Sequence, residues 1–242
     1  MKIAICFYGL LRDVKETYPY IKKNLIDPNN IEDIFIHTWK SEDNEEIGSK
    51  SKKTVHHSSI YDKLYKEFIL SNYNPKVFNE EDNDIILTEK NYKENYMGLF
   101  ITSPFAFQSM LYSSHKVNLL KNEYANKNAK TYDYVVKMRF DLVILKPIII
   151  SNLSNDILNV TSFYTKNNWM GDIFAISNEQ TMNTYTNLWN CFYEYKLKQN
   201  HPEQLNYHHC THQGIEFLPS LIYGVEGDHI LYRDIDLITN EL

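Results

Sequence analysis

The chain has 242 residues, 43% of them hydrophobic and 14% aromatic, with a formal net charge of −6. This length suits one α/β domain with a sizeable core rather than two domains, and the aromatic content argues against disorder over most of it. An acidic balance argues against general nucleic-acid binding, which needs a basic face. Cys6, Cys191 and Cys210 are too few and too scattered for a disulfide framework. Arg12 and Asp13 interrupt the apolar N-terminus without a small-residue cleavage site, and the apolar run 142–150 is broken by Lys146 and Pro147. Neither a signal peptide nor a membrane span is expected, which makes cytoplasmic the default location.

Residues 2–8 (KIAICFY) form a continuous apolar run of the kind that fills a central parallel strand buried on both faces. Gly9 ends it. Asp13 and Glu16 have capping-box spacing, so a helix is expected over 14–25, followed by a turn at 27–30 and a second buried strand over 33–39 (DIFIHTW). This β-α-β opening implies a parallel pair. Residues 41–59 and 80–95 read as irregular loops on either side of a helix over 60–70 and a short strand at 76–78. Ser103-Pro104 starts a helix to about residue 124. A strand at 132–138 (YDYVVKM) runs into Arg139-Phe140-Asp141, and 142–149 continues extended. Strand 172–177, a helix over 178–197, a helix over 201–213 and closing strands at 215–222 and 229–233 complete an α/β order with a mixed, mostly parallel twisted sheet and helices on both faces.

In such a sheet, ligands bind outside the carboxyl ends of the strands. After the first strand comes Gly9-Leu10-Leu11-Arg12, where glycine permits close backbone approach and Arg12 either pairs with a phosphate or stays a surface arginine. His37 and Thr38 end the second strand, either as the lining of a base or ribose pocket or as structural residues. Asp141 is a hard oxygen ligand suited to Mg²⁺ or Mn²⁺ on a diphosphate, or else one half of an Arg139–Asp141 pair. His208, His209, Cys210 and His212 raise a zinc site, but H-E-x-x-H lacks its glutamate here. There is no G-x-G-x-x-G, no P-loop and no G-x-S-x-G.

The segments KIAICFYGLLR, DIFIHTW, SPFAFQSMLYSSHKVNLLKNEY, YDYVVKMRFDLVI, GDIFAISNEQTMNTYTNLW and HPEQLNYHH, in that order, resemble a group of small bacterial and viral glycosyltransferases of the GT-A kind that build surface polysaccharide, lipopolysaccharide or other glycans. The resemblance covers most of the chain except 41–95. It implies a single GT-A-like domain, 1–242, with a nucleotide-sugar-binding half (1–141) and an acceptor-side half (142–242).

Arg139-Phe140-Asp141 stands where GT-A enzymes carry Asp-x-Asp, which makes Asp141 the metal ligand for Mn²⁺ or Mg²⁺ and sets Arg139 on ribose or phosphate. The first position of that pattern is arginine here, not aspartate. Asp172 falls beside donor or acceptor sugar, Trp169 is placed to stack on a sugar face, and Glu203 resembles an acid at the same point of related chains. Glu203 or Asp172 would serve as general base.

The expected reaction is transfer of a hexosyl or deoxyhexosyl group from a nucleotide-diphosphate sugar, UDP first, to a glycan or lipid-linked acceptor, with inversion and metal assistance. Loops 41–59 and 80–95 would order over the donor, and a lipid-linked acceptor would bring peripheral membrane association. A non-catalytic nucleotide- or carbohydrate-binding module, or a zinc protein built on the His208–His212 cluster, are the alternatives.

Overall fold

The run Ile3–Tyr8 forms β1, every residue of it buried, and β2 (Asp33–Trp39) lies beside it in parallel, with Tyr8 opposite His37. A computed structural model describes residues 1–40, 46–47, 59–60, 63–82, 85, 104–162, 168–195, 201–224 and 226–231. Most of the two expected loops, 41–59 and 80–95, and residues 232–233 of the last expected strand lie outside the described residues.

The remaining strands are β3 (Glu46–Ile47), β4 (Ser59–Ile60), β5 (Val77–Glu81), β6 (Tyr134–Arg139), β7 (Leu142–Ile144), β8 (Leu158–Thr161), β9 (Phe174–Ser177), β10 (Phe217–Leu221) and β11 (His229–Leu231). Seven of them make one sheet in the order β10-β8-β9-β6-β1-β2-β5. All its pairings are parallel except those of β9, which runs against both β6 and β8. The expected mostly parallel α/β sheet forms.

Helices cover both faces. On one, α1 (Val14–Ile21) and α2 (Lys63–Asn72) bury Val14, Ile21 and Ile69 against Ile3, Ile5, Phe7 and Ile36. On the other, α3 (Pro104–Lys127), α4 (Glu179–Thr186) and α6 (Pro202–His212) bury Val117, Met182, Tyr185 and Cys210 against Ala4, Cys6, Tyr8 and Val135. A short α5 (Leu188–Cys191) adds Leu188 and Trp189 to a third cluster with Trp39, Phe107 and Tyr112. Alternation along β1 sends odd and even side chains into separate cores, the packing a doubly covered strand requires. Among the described residues no helix is long and apolar enough to cross a membrane.

Several local expectations change. The capping box at Asp13 does not form. Asp13 takes a left-handed φ of 51° and makes no side-chain cap, while its carbonyl accepts from the N–H and the hydroxyl of Thr17, both at 2.9 Å. Beyond Pro19, which lacks an intrahelical donor, the winding passes into a π turn (Lys22–Ile26) and a 3-10 turn (Asp27–Asn29). The helix expected over 178–197 ends α4 at Thr186, and Asn187 caps it by donating its N–H to carbonyls of the last turn. β7 leaves the main sheet to pair antiparallel with β11. β8 was not foreseen, because polar Asn159 and Thr161 alternate with its apolar residues; both are buried.

His229, wholly buried beside Phe174 and Tyr223, shares a 2.8 Å hydrogen bond with Thr161, and burial pushes its imidazole down to about 4. A folded value below the unfolded one, about 6.5, leaves its stabilisation complete above pH 6.5 and withdraws it as pH falls toward 4. Denaturant melts from pH 7 to pH 4.5 are expected to lose on the order of 2–3 kcal/mol through this group. His229→Gln, which keeps a partner for Thr161, should flatten that part of the profile. An unchanged slope would show that the buried imidazole is not responsible.

Candidate active site at the carboxyl edge of the sheet

From β1 the chain steps outward to β2 and β5, then crosses back to place β6 on the other side of β1. This reversal makes the gap beyond β1 and β6 the topological switch point, where open α/β sheets bind ligands. Tyr8 and Arg139 end the two strands as direct register partners. Gly9 follows with φ 94°, a conformation that favours glycine, and a β-carbon there would meet nothing within 4 Å.

A relay of hydrogen bonds holds this turn. The Gly9 N–H donates to Ser113 Oγ at 2.8 Å, Ser113 bonds His37 Nδ1 at 2.7 Å, and His37 Nε2 faces Glu81 Oε2 at 3.4 Å. Glu81 also accepts from Tyr112 Oη and pairs with Lys116. Hydrogen bonding from His37, against the effect of burial and with help from Tyr112 and Lys116, holds Glu81 down to about 2. Burial pulls His37 downward. His37 and Thr38 are wholly buried, so they stand behind the crevice while Gly9 and the half-buried Leu10 and Arg12 stand at it.

Arg139 and Asp141 form a two-point pair. Arg139 Nε donates to Asp141 Oδ1 at 2.9 Å, and Nη2 to Oδ2. Burial works against the guanidinium's charge, but Asp141 outweighs it and raises Arg139. The intervening Phe140 stacks on Phe7 at 5.0 Å, and its carbonyl accepts from Thr17 Oγ1 at 2.7 Å, which pins the turn carrying Asp141.

Because β9 is antiparallel, its start lies at the carboxyl edge of its neighbours, so Asp172, two residues before Phe174, arrives beside Arg139 from the far half of the chain. Arg139 N–H donates to the Ile173 carbonyl at 3.3 Å. The Asp172 carbonyl accepts twice, from Tyr8 Oη at 2.8 Å and from Lys137 Nζ at 2.7 Å. Lys137 is buried, its ammonium 4.5 Å from the Tyr8 ring centroid and 5.0 Å from that of Tyr185. Burial pulls the lysine down to about 8. Burial, with Glu203 as the next cause, pushes the Asp172 carboxyl up to about 6 against the pull of Lys137 and Arg139. Sequence reasoning passed over Tyr8, Lys137 and Tyr185. The lone lysine in the apolar run YDYVVKM is the signal that marks Lys137.

Glu203 occupies the first turn of α6, and its backbone carbonyl accepts from the Met170 N–H at 3.1 Å. His201 Nδ1 donates to Glu203 Oε2, and the His201 ring lies 4.3 Å from the Trp169 ring. Arg139, Asp141, Asp172 and Glu203 thus meet at one edge. The His208–His212 segment does not converge there. His209 is buried and its Nε2–H donates to the Thr184 carbonyl at 2.8 Å, leaving Nδ1 to accept from Tyr195 Oη at 2.9 Å. Among the described residues no group of three or more His, Cys, Asp or Glu is arranged to hold a metal ion.

No family model matches the chain, and no curated protein does. Among solved structures, the apo form of the glycosyltransferase GlyE of Streptococcus pneumoniae TIGR4 is similar over 90% of this chain, with 10% sequence identity and a TM-score of 0.43. The chain spans 45% of the length of that protein.

The Lys137 ammonium has a direct consequence. Its folded value lies below the unfolded one, about 10.4, so stability is expected to rise with pH between 8 and 10.4. Melts of wild type and Lys137→Met across that window should converge or cross, with a relative change on the order of 2–3 kcal/mol. Tyrosine titration common to both proteins cancels in the difference. A difference that stays constant with pH would show that Lys137 is not buried as a cation.

Proposed function

We propose that this chain is a GT-A-type glycosyltransferase that moves a sugar from a nucleotide-diphosphate donor, UDP-linked first, to a hydroxyl of a glycan or lipid-linked acceptor. The observation that carries the proposal is the meeting of an open Gly9 turn, the Arg139–Asp141 pair and two further carboxylates at the switch point of an α/β sheet. The order of the sequence segments supports the same reading.

In this mechanism the nucleoside diphosphate lies over the carboxyl ends of β1 and β6. Gly9 and Leu10 let it approach the backbone, and Arg12 and Arg139 meet the charge that grows on the leaving diphosphate. Asp172 and Glu203 face the acceptor side. A carboxylate-bearing corner there takes the acceptor's proton as its oxygen attacks the anomeric carbon, a single displacement that inverts configuration.

The donor set suits a divalent cation that arrives with the diphosphate. Asp141 offers hard carboxylate oxygens, held in place by their bonds to Arg139. Mg²⁺ or Mn²⁺ bound there would neutralise diphosphate charge. No protein cage of three ligands is present among the described residues, so most of its ligands would be phosphate oxygens and water. Peripheral association with a membrane would bring a lipid-linked acceptor within reach, and a cytoplasmic location agrees with this supply of nucleotide sugars.

Thermal melts with UDP, GDP, CMP and dTDP, each with Mn²⁺, Mg²⁺ or EDTA, test the reading. One diphosphate near a hundredfold excess over its Kd should raise the melting temperature by roughly 5–10 °C. Asp141→Asn should remove the cation-dependent part and Arg139→Ala most of the remainder. No shift with any nucleotide would sink the proposal, and binding without hydrolysis of any nucleotide sugar would favour a binding module.

A further inference from the structure

The corner that would accept the proton contains a histidine as well as two carboxylates. His201 precedes the Pro202 that starts α6, and two contacts fix its ring: Nδ1 donates to Glu203 Oε2, and the ring centroid lies 4.3 Å from that of Trp169, the planes tilted by 38°. An ionised carboxylate only accepts, so the Nδ1 position carries the hydrogen and Nε2 carries the lone pair. Among the described residues nothing hydrogen-bonds Nε2. The side chains of His201 and Glu203 are 17% and 11% exposed, enough to face a ligand. Glu203 lies close enough to Asp172 to push that carboxyl upward, which puts the dyad at the same edge as Arg139. Asp172 is as buried as Glu203, and its peptide is held by Tyr8 and Lys137.

Resting on the glycosyltransferase reading, we propose that His201 is the general base of the reaction and that Glu203 is its positioning residue, with Trp169 packed against the imidazole. The acceptor's O–H bond breaks and its proton passes to His201 Nε2. The hydroxyl oxygen bonds to the anomeric carbon as the bond from that carbon to the diphosphate oxygen breaks, and the electron pair leaves with the nucleoside diphosphate. The imidazolium that results is paired with the Glu203 carboxylate until it returns its proton to solvent. Nδ1–H to carboxylate on one side and, among the described residues, no hydrogen bond at Nε2 on the other is the arrangement that lets a carboxylate orient an imidazole base.

The test measures turnover of a panel of UDP-, GDP-, dTDP- and CMP-sugars, with water or simple saccharides as acceptor, in wild type, His201→Ala, His201→Gln and Glu203→Ala. His201→Ala is expected to lose about 100- to 10,000-fold in kcat with little change in KM for the donor, the range a general base supplies. Its UDP-induced thermal shift should stay at the wild-type value. Added imidazole should restore His201→Ala by about tenfold or more and leave Glu203→Ala unchanged, an effect no purely structural role would produce. Retention of the rate within about threefold in His201→Ala and His201→Gln, or a loss that imidazole does not relieve in a folded variant that still binds UDP, overturns the assignment and leaves the base to a carboxylate. A wild type that neither binds a nucleotide nor turns over any sugar overturns the transferase reading, and the base with it.

Discussion

The carbonyl oxygen of Asp172 is the point on which the site is built. Tyr8 at the end of β1 and Lys137 within β6 both donate to it, so a single acceptor joins the two central strands to the entry of the antiparallel β9. Burying an ammonium costs several kcal/mol unless it is paired or hydrogen-bonded. Here one strong hydrogen bond and two aromatic faces offset part of that cost. The arrangement is expensive for stability alone, since an apolar side chain would fill the same space. Its effect is positional: the peptide before β9 cannot shift without breaking bonds to both strands.

On the other side of the crevice the same logic runs through uncharged and charged partners in series. Gly9 is held by Ser113, Ser113 by His37, and His37 by a carboxylate that Tyr112 and Lys116 also engage. The backbone that would meet a diphosphate is therefore set by a network anchored on α3 and β5, buried at Ser113 and His37 and reaching the surface at Glu81 and Lys116. Such a layer orients groups in advance, so that they need not reorganise as charge develops. His37 belongs to this support: wholly buried, it holds the turn from behind.

The acidic side gains its character from crowding. Asp172 is pushed upward by burial and by Glu203, while Lys137 and Arg139 draw it back, and Glu203 itself is engaged by His201. Groups of opposite tendency packed at one edge are the usual setting for proton transfer. One histidine of α6 has another task. His209 ties the helix to the Thr184 carbonyl and to Tyr195, which is structural hydrogen bonding rather than metal ligation.

Composition and apolar runs alone determined the α/β class, the buried central strands at 3–8 and 33–39, and the start of α3 and α6 at their prolines, because each rests on local periodicity or on the geometry of one residue. Arg139 and Asp141 were legible for the same reason, standing where a buried strand must end. Three things were decided only by tertiary structure. The direction of β9 depends on which neighbours it pairs with, and that direction brings Asp172 to Arg139. Lys137 reads as an ordinary lysine until two tyrosine rings 48 and 129 residues away in sequence close over it. His201 meets Trp169 only when that segment folds onto the first turn of α6. In each case the meaning of the residue lies in contacts between distant parts of the chain, which no pattern of neighbouring residues encodes.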